Sequence, residues 1–236
     1  MNPAVRLRVA TFNIHGGRPA RGPADLRAVA RVIRELEADV VGLQEVHRWL
    51  PPPYVFRNQP RILASLTGMH VTFRPSFALG PLAYGNAILS RNRPERAARV
   101  RLPGRGEPRS LLHAELVLGS ARFALLCTHL SLRPGERERQ AASIREYRRR
   151  LERPSVLLAD LNARSDSELV ANLHPAPLPR PERGYPPTYP AENPEFCLDY
   201  ILPSEEWEIE RYEAVSTGVS DHLPVVAELV WRRPNG

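Results

Sequence analysis

The chain has 236 residues, 42% of them hydrophobic, which is enough for a sizeable core, and 33 basic against 26 acidic residues give a net charge of +7. No stretch approaches the length of a membrane span, and no charged-then-apolar leader precedes the first strand pattern, so we expect neither an integral membrane segment nor a signal peptide. The two cysteines, Cys127 and Cys197, sit in apolar runs, with no disulfide framework and no zinc spacing, so we expect a reducing, cytoplasmic setting.

The basic balance invites a nucleic-acid partner. Every basic residue is arginine, however, and proline numbers 25, so compositional bias explains the charge as readily as a phosphate partner does. The arginines are dispersed except for Arg148, Arg149 and Arg150, which we place on the solvated face of a helix.

In chain order, RLRVATFNI (6–14) reads as a strand that ends near Asn13 and runs into the turn His15-Gly16-Gly17. Asp25 is placed to cap a helix carrying Leu26, Val29, Ala30, Ile33 and Leu36 at helical spacing. DVVGLQEV (39–46) is a buried strand with Glu45 at its end. A carboxylate beside Val40, Val41 and Leu43 is costly to bury unless paired or metal-bound, the alternative being a strand-end side chain already in water.

A loop at 49–58 and a short helix near 60–66 lead into the strands HVTFRPSF, YGNAILSR, AARVRLP and SLLHAELVL. RFALLCTHL (122–130) is a further buried strand ending in Thr128 and His129. A helix from Pro134 to about Leu151 turns Arg137, Glu138, Arg148 and Arg149 outward and Ala141, Ile144 and Tyr147 inward. PSVLLADLNA (154–163) reads as a strand buried on both faces that delivers Asp160 and Asn162 either to a turn or to a cleft. A short helix near 166–173 and a proline-rich segment, 174–194, suited to a lid or substrate wall, follow. CLDYIL, WEIERYEAV and LPVVAELVW are the last strands, with the polar turn TGVSDH before the third. No composition shift or repeat divides the chain, so one domain over 1–236 is expected.

Strand ends thus collect Asn13, Glu45, Asn86, His129, Asp160 with Asn162, Asp199, and Asp221 with His222. Each alone is explained as a hydrogen-bonded turn residue. Together they form an oxygen-rich set suited to a hard cation such as Mg²⁺.

The ordered motifs TFNIHGG, LQEV, GNAILSR, THLS, ADLNA, CLDYIL and VSDHLPV resemble those of the endonuclease/exonuclease/phosphatase (DNase I-like) superfamily over residues 7–229. The resemblance implies a four-layer α/β sandwich, two mixed β-sheets packed face to face with helices outside, and a Mg²⁺-dependent (or Mn²⁺-dependent) hydrolase acting on phosphate esters. Glu45 would be the principal metal ligand, with Asn13 and Asp221. Asp160 would activate water and Asn162 would hold it or a phosphate oxygen. His222, oriented by Asp199, and His129 would steady the transition state, and Asn86 would support the phosphate.

Two departures qualify this. His15 stands where AP endonucleases carry an acidic residue, and Ala159 and Leu161 replace glycine and phenylalanine around Asp160. No tryptophan-bearing loop for damaged DNA is present, which disfavours abasic-site specificity. The expected partner is a phosphate-ester substrate, with nucleic acid, a lipid or small phosphodiester, and a phosphomonoester as candidates, and the chain is expected to act as a monomer. A nuclease is one narrower alternative; a binding module that keeps the fold without catalysis is another.

Overall fold

The computed structural model describes residues 5–49, 57–119 and 121–231. Two sheets face each other. The first has six strands: β1 (Arg6–Asn13), β2 (Val40–Arg48), β3 (His70–Leu79), β4 (Leu82–Ser90), β10 (Trp207–Ala214) and β11 (Val225–Trp231), in the order β10-β11-β1-β2-β4-β3. The second has five: β5 (Arg96–Arg101), β6 (Ser110–Leu118), β7 (Ala121–His129), β8 (Ser155–Asp160) and β9 (Asp199–Pro203), in chain order. Both are mixed: β1 runs parallel to β2, and β7 parallel to β8, while the other pairs are antiparallel.

The helices lie outside. Helices α1 (Leu26–Glu35) and α2 (Gln59–Thr67) pack on the first sheet through Val29, Ile33 and Leu63 against Phe12, Leu43 and Leu89. Helices α3 (Pro134–Arg149) and α4 (Glu168–Leu173) pack on the second through Ala141, Ile144 and Val170 against Leu126, Leu157 and Tyr200. The central layer joins Val9, Val40, Ile88 and Leu229 to Leu125, Cys127, Val156 and Leu158. This is the four-layer sandwich expected from the sequence.

Local chemistry accounts for the helix starts. Asp25 accepts hydrogen bonds from the backbone N–H of Arg27 and Ala28, and Asn58 accepts from Arg61 with Pro60 in the first turn. Such caps each stabilise a helix by about 1 kcal/mol. The expectation of an outward Arg148 is corrected. Its side chain folds back to donate to the Leu202 carbonyl (3.1 Å) and toward Ser155 Oγ (3.4 Å), and burial pulls its pKa down to about 10. A long arginine stem can cover apolar surface while its head finds carbonyls, which a helical wheel does not register.

Parallel strands of the two sheets meet at Gly42. A Cβ added to Gly42 on β2 would lie 2.7 Å from Leu158 Cβ on β8 and 3.3 Å from Cys127 Sγ on β7. Only a residue without a side chain fits that seam. Gly42→Val is therefore expected to destabilise the protein by about 1–3 kcal/mol through overpacking, read as a lower urea midpoint. An unchanged midpoint would show that the sheets can part there at no cost.

Candidate active site

The C-terminal ends of both parallel pairs emerge at the same end of the sandwich. β1 delivers Asn13, β7 delivers His129 and β8 delivers Asp160. The antiparallel elements reach this end by their starts: Asp199 opens β9, and Asp221 and His222 precede β11. Asp199 therefore begins its strand rather than ending it.

Glu45 also differs from its expected strand-end position. β2 continues to Arg48, and Glu45 sits where the register with β4 shifts between Leu43 and Val46, at φ +56°. The bulge turns its carboxylate to the cleft. His15 (φ +46°) and Asn162 (φ +49°) adopt the same left-handed backbone beside it. A non-glycine residue there carries strain, and such residues collect at functional sites.

Of these side chains Glu45, His129, Asp160, Asn162, Asp221 and His222 line a cleft of about 570 Å³, together with His47, Phe77, Tyr84, Glu107, Arg109, Leu132, Tyr189 and Leu198. Asp160, 1% exposed, lies on its floor. Its Oδ2 accepts from Asn13 Nδ2 (2.9 Å) and its Oδ1 from the Asn162 backbone N–H (2.9 Å). The Asn13 amide also donates to Glu45 Oε1 (3.1 Å), while its own oxygen accepts from the His15 N–H (3.0 Å). One asparagine thus fixes two carboxylates.

On one flank His222 Nδ1 lies 2.8 Å from Asp199 Oδ2, which also accepts from Thr188 Oγ1 (2.6 Å), and His222 Nε2 points toward Asp160 Oδ2 at 3.9 Å. The Tyr189 ring covers the imidazole at 4.8 Å. Burial alone would lower the pKa of His222, but the carboxylates of Asp199, Asp160 and Asp221 outweigh it and hold it up to about 10. Burial and the neighbouring Asp199 charge push Asp160 up to about 7, against the opposing pull of His222 and its two donors.

On the other flank His129 is held neutral, its pKa driven well down by burial and then by Arg109 and His222. Its Nε2 accepts from Asn162 Nδ2 (3.0 Å), which leaves Nδ1 facing the Tyr84 hydroxyl (3.4 Å). The same Asn162 amide donates to the Leu130 carbonyl (3.0 Å). Arg109 extends the chain by donating to Tyr84 (3.2 Å). Asp221 lies 3.5 Å from His15 Nδ1.

Asn86 is not brought to the cleft. It lies mid-way along β4 and its amide donates to the Ser110 carbonyl (3.0 Å), bridging the two sheets. Sequence reasoning missed Tyr84, Arg109, Thr188 and Ser220. Ser220 donates to the Asn13 carbonyl (2.8 Å) and so ties the late polar turn to the end of β1. Tyr84 had a signal: it is two residues from Asn86 in one strand and shares its face. Of the loop expected at 49–58, residues 50–56 lie outside the described residues.

The carboxylates suit a divalent cation. Among the described residues no arginine lies within ion-pair distance of Glu45, Asp160, Asp199 or Asp221, and Asp199 Oδ1 is buried without a partner. Asp160, Asp199 and His222 bring potential ligand atoms within 4.8 Å of one another, but a protonated His222 has no lone pair to offer a cation, which leaves Glu45 and Asp221 as cleft carboxylates without an arginine partner. Negative charge in excess of its protein partners, on oxygen donors, is what hard cations neutralise.

A mixed two-sheet sandwich whose strand ends converge on carboxylates, amides and imidazoles defines the DNase I-like class. Residues 10–222 match the Endonuclease/Exonuclease/phosphatase family, and the chain belongs to it. It resembles an endonuclease/exonuclease/phosphatase from Beutenbergia cavernae at 27% identity, covering 96% of this chain and 72% of that one, with a TM-score of 0.78. Two more distant structures share the fold. The mannosyl-6-phosphatase Bt3783 of Bacteroides thetaiotaomicron is 18% identical over 95% of this chain and 100% of that one, TM-score 0.75. D. rerio TDP2 complexed with a single-strand DNA product is 17% identical over 95% and 98%, TM-score 0.74. No curated protein matches the chain.

Proposed function

We propose that the chain is a divalent-cation-dependent phosphoesterase that hydrolyses a phosphodiester by in-line attack of water. The observation that carries this reading is Asp160, a buried carboxylate on the cleft floor with both oxygens held by donors and an imidazole edge beside it. Phosphoryl transfer asks chiefly for positioning and charge neutralisation, and this cluster is built for both.

Asp160 takes the proton of the attacking water as the bond from phosphorus to the leaving oxygen breaks. Asn162 holds that water or a non-bridging oxygen. His222, kept protonated by Asp199, donates to the phosphate as negative charge grows on it. His129 has its Nε2 occupied by Asn162, so we assign it to orienting that amide rather than to the phosphate. Glu45 and Asp221 would hold the cation, with Asn13 setting the Glu45 carboxylate in place; a bound Mg²⁺ or Mn²⁺ supplies Lewis-acid polarisation of the phosphate.

The test is a screen of bis-p-nitrophenyl phosphate and p-nitrophenyl phosphate with Mg²⁺ and Mn²⁺, using Asp160→Asn as control. Metal-dependent turnover that disappears in the control is expected. A folded protein inactive on both with any divalent ion would instead support a binding module. Glu45→Gln should raise the half-saturating Mg²⁺ concentration at least tenfold, since it removes a charge from the ligand set; an unchanged Mg²⁺ titration would take Glu45 out of it. The +7 net charge favours a nuclease as second reading, tested by adding plasmid and single-stranded DNA to the screen.

A further inference from the structure

The cleft has an apolar lip that the chemistry of its floor does not require. Among the described residues the exposed large hydrophobic side chains are Phe77 (44%), Leu79 (65%) and Leu132 (72%), and two of these, Phe77 and Leu132, line the cleft. They come from separate elements, the β3–β4 hairpin and the turn between β7 and α3.

The hairpin is built to aim them. Before Pro75, Val71 and Phe73 point to the helix side of the first sheet, packing with the core that holds α1 and α2. A shift of register between Pro75 and Phe77 then adds one residue to β3, so that Ser76 faces Ser110 of the opposing sheet (Oγ–Oγ 2.8 Å) and Phe77 pairs with Tyr84 on the cleft side. Re-aiming a side chain is a known use of such bulges. Leu79, two residues on, follows Phe77 on that face and pairs with Leu82. Gly85 makes room for the bulge: a Cβ there would lie 2.5 Å from the Arg74 carbonyl and 2.6 Å from Ser76 N.

Arginines frame the lip. Arg48 donates to the Pro81 carbonyl at the hairpin tip (3.1 Å), Arg99 to the Pro75 carbonyl at the bulge (2.8 Å), and exposed Arg133, 3.7 Å from the Glu136 carboxylate, follows Leu132. Glu107, on the same wall of the cleft, is paired with Arg109 (3.3 Å). Apolar side chains at a rim, with arginines around them, complement a surface that is apolar beneath an anionic layer. Base stacking would call for flat rings, and of the three only Phe77 offers one.

We propose that this lip seats the protein on a phospholipid surface, so that the phosphate of a lipid headgroup enters the cleft while Phe77, Leu79 and Leu132 contact the apolar layer. The inference rests on the phosphoesterase reading for its substrate, but the seating can be measured without turnover. Sedimentation with vesicles of phosphatidylcholine and phosphatidylglycerol (7:3) in EDTA should carry the wild-type protein down. The Phe77→Ser/Leu79→Ser/Leu132→Ser variant, shown folded by its melting curve, should bind at least tenfold more weakly. With Mg²⁺, its ratio of turnover on vesicle phospholipid to turnover on bis-p-nitrophenyl phosphate should fall at least tenfold.

Wild-type protein that hydrolyses bis-p-nitrophenyl phosphate but ignores vesicles would overturn the seating and leave the phosphoesterase reading intact. Vesicle binding lost in the variant, with no phosphate ester turned over by wild type, would sustain the seating and overturn that reading. A variant that sediments as well as wild type, or that loses affinity for oligo(dT) instead, would overturn the lipid assignment.

Discussion

Asp160→Asn is expected to cut kcat on bis-p-nitrophenyl phosphate by about 10³-fold, within the roughly 10²–10⁴-fold range for loss of a positioned base. The amide keeps the shape and retains an oxygen to accept from the Asn162 N–H, but it cannot take a proton from water. Its NH₂ would meet the Asn13 NH₂, a conflict relieved by rotating one of the two amides. Stability should move the other way. The Asp160 pKa is raised from its unfolded value of 3.8 to about 7, so the native state binds the proton more tightly, and stability falls as pH rises from about 4 to 7. Removing the charge removes that cost. In EDTA at pH 8 the variant should melt at or above the wild-type temperature, the usual conflict between a functional charge and the fold. Wild-type turnover in the variant would end the base assignment.

Asp199→Asn is expected to lower kcat by about 10²–10⁴-fold and to move the alkaline limb of the pH–rate profile to lower pH. His222 keeps its proton up to about 10 because carboxylates surround it, with Asp199 first among them. Without that charge, burial pulls the imidazole back down, and the donor to the phosphate is lost at a lower pH. Thr188 continues to donate to the remaining oxygen at position 199, so the loop should stay in place. A profile with its alkaline limb unmoved would separate His222 from Asp199 in the mechanism.

The sequence carried the fold well where one local pattern decides one element. The uninterrupted run Val156–Ala159 marked β8 as buried on both faces, and Asp25 before Leu26 marked the start of α1. The polar positions Asn13, Glu45, His129, Asp160, Asn162, Asp199, Asp221 and His222 were legible because each lies in a short motif, and the structure gathers them at one end of the sandwich. What was hidden depends on register and on partners far along the chain. Nothing in LQEV announces that Glu45 occupies a bulge rather than a strand end, because a bulge is a relation between two strands. Asn86 looked like its neighbours in the motifs, yet its donors are consumed by a carbonyl of the other sheet. Arg109 and Tyr84 are adjacent only once β4 faces β6 and β7. Arg148 turned inward because the Leu202 carbonyl, 54 residues later, needed a donor.

The last strand of the first sheet has a consequence for the order in which the protein becomes competent. β1 carries Asn13, but it gains its second neighbour only from β11, and the loop bringing Asp221 and His222 is anchored to the Asn13 carbonyl through Ser220. A chain still emerging from the ribosome can hold Asn13, Glu45 and His129 and yet lack both the imidazolium and the wall that fixes them. Under the proposed chemistry the site is complete only once β11 has joined the sheet beside β1 and the turn before it has delivered Asp221 and His222.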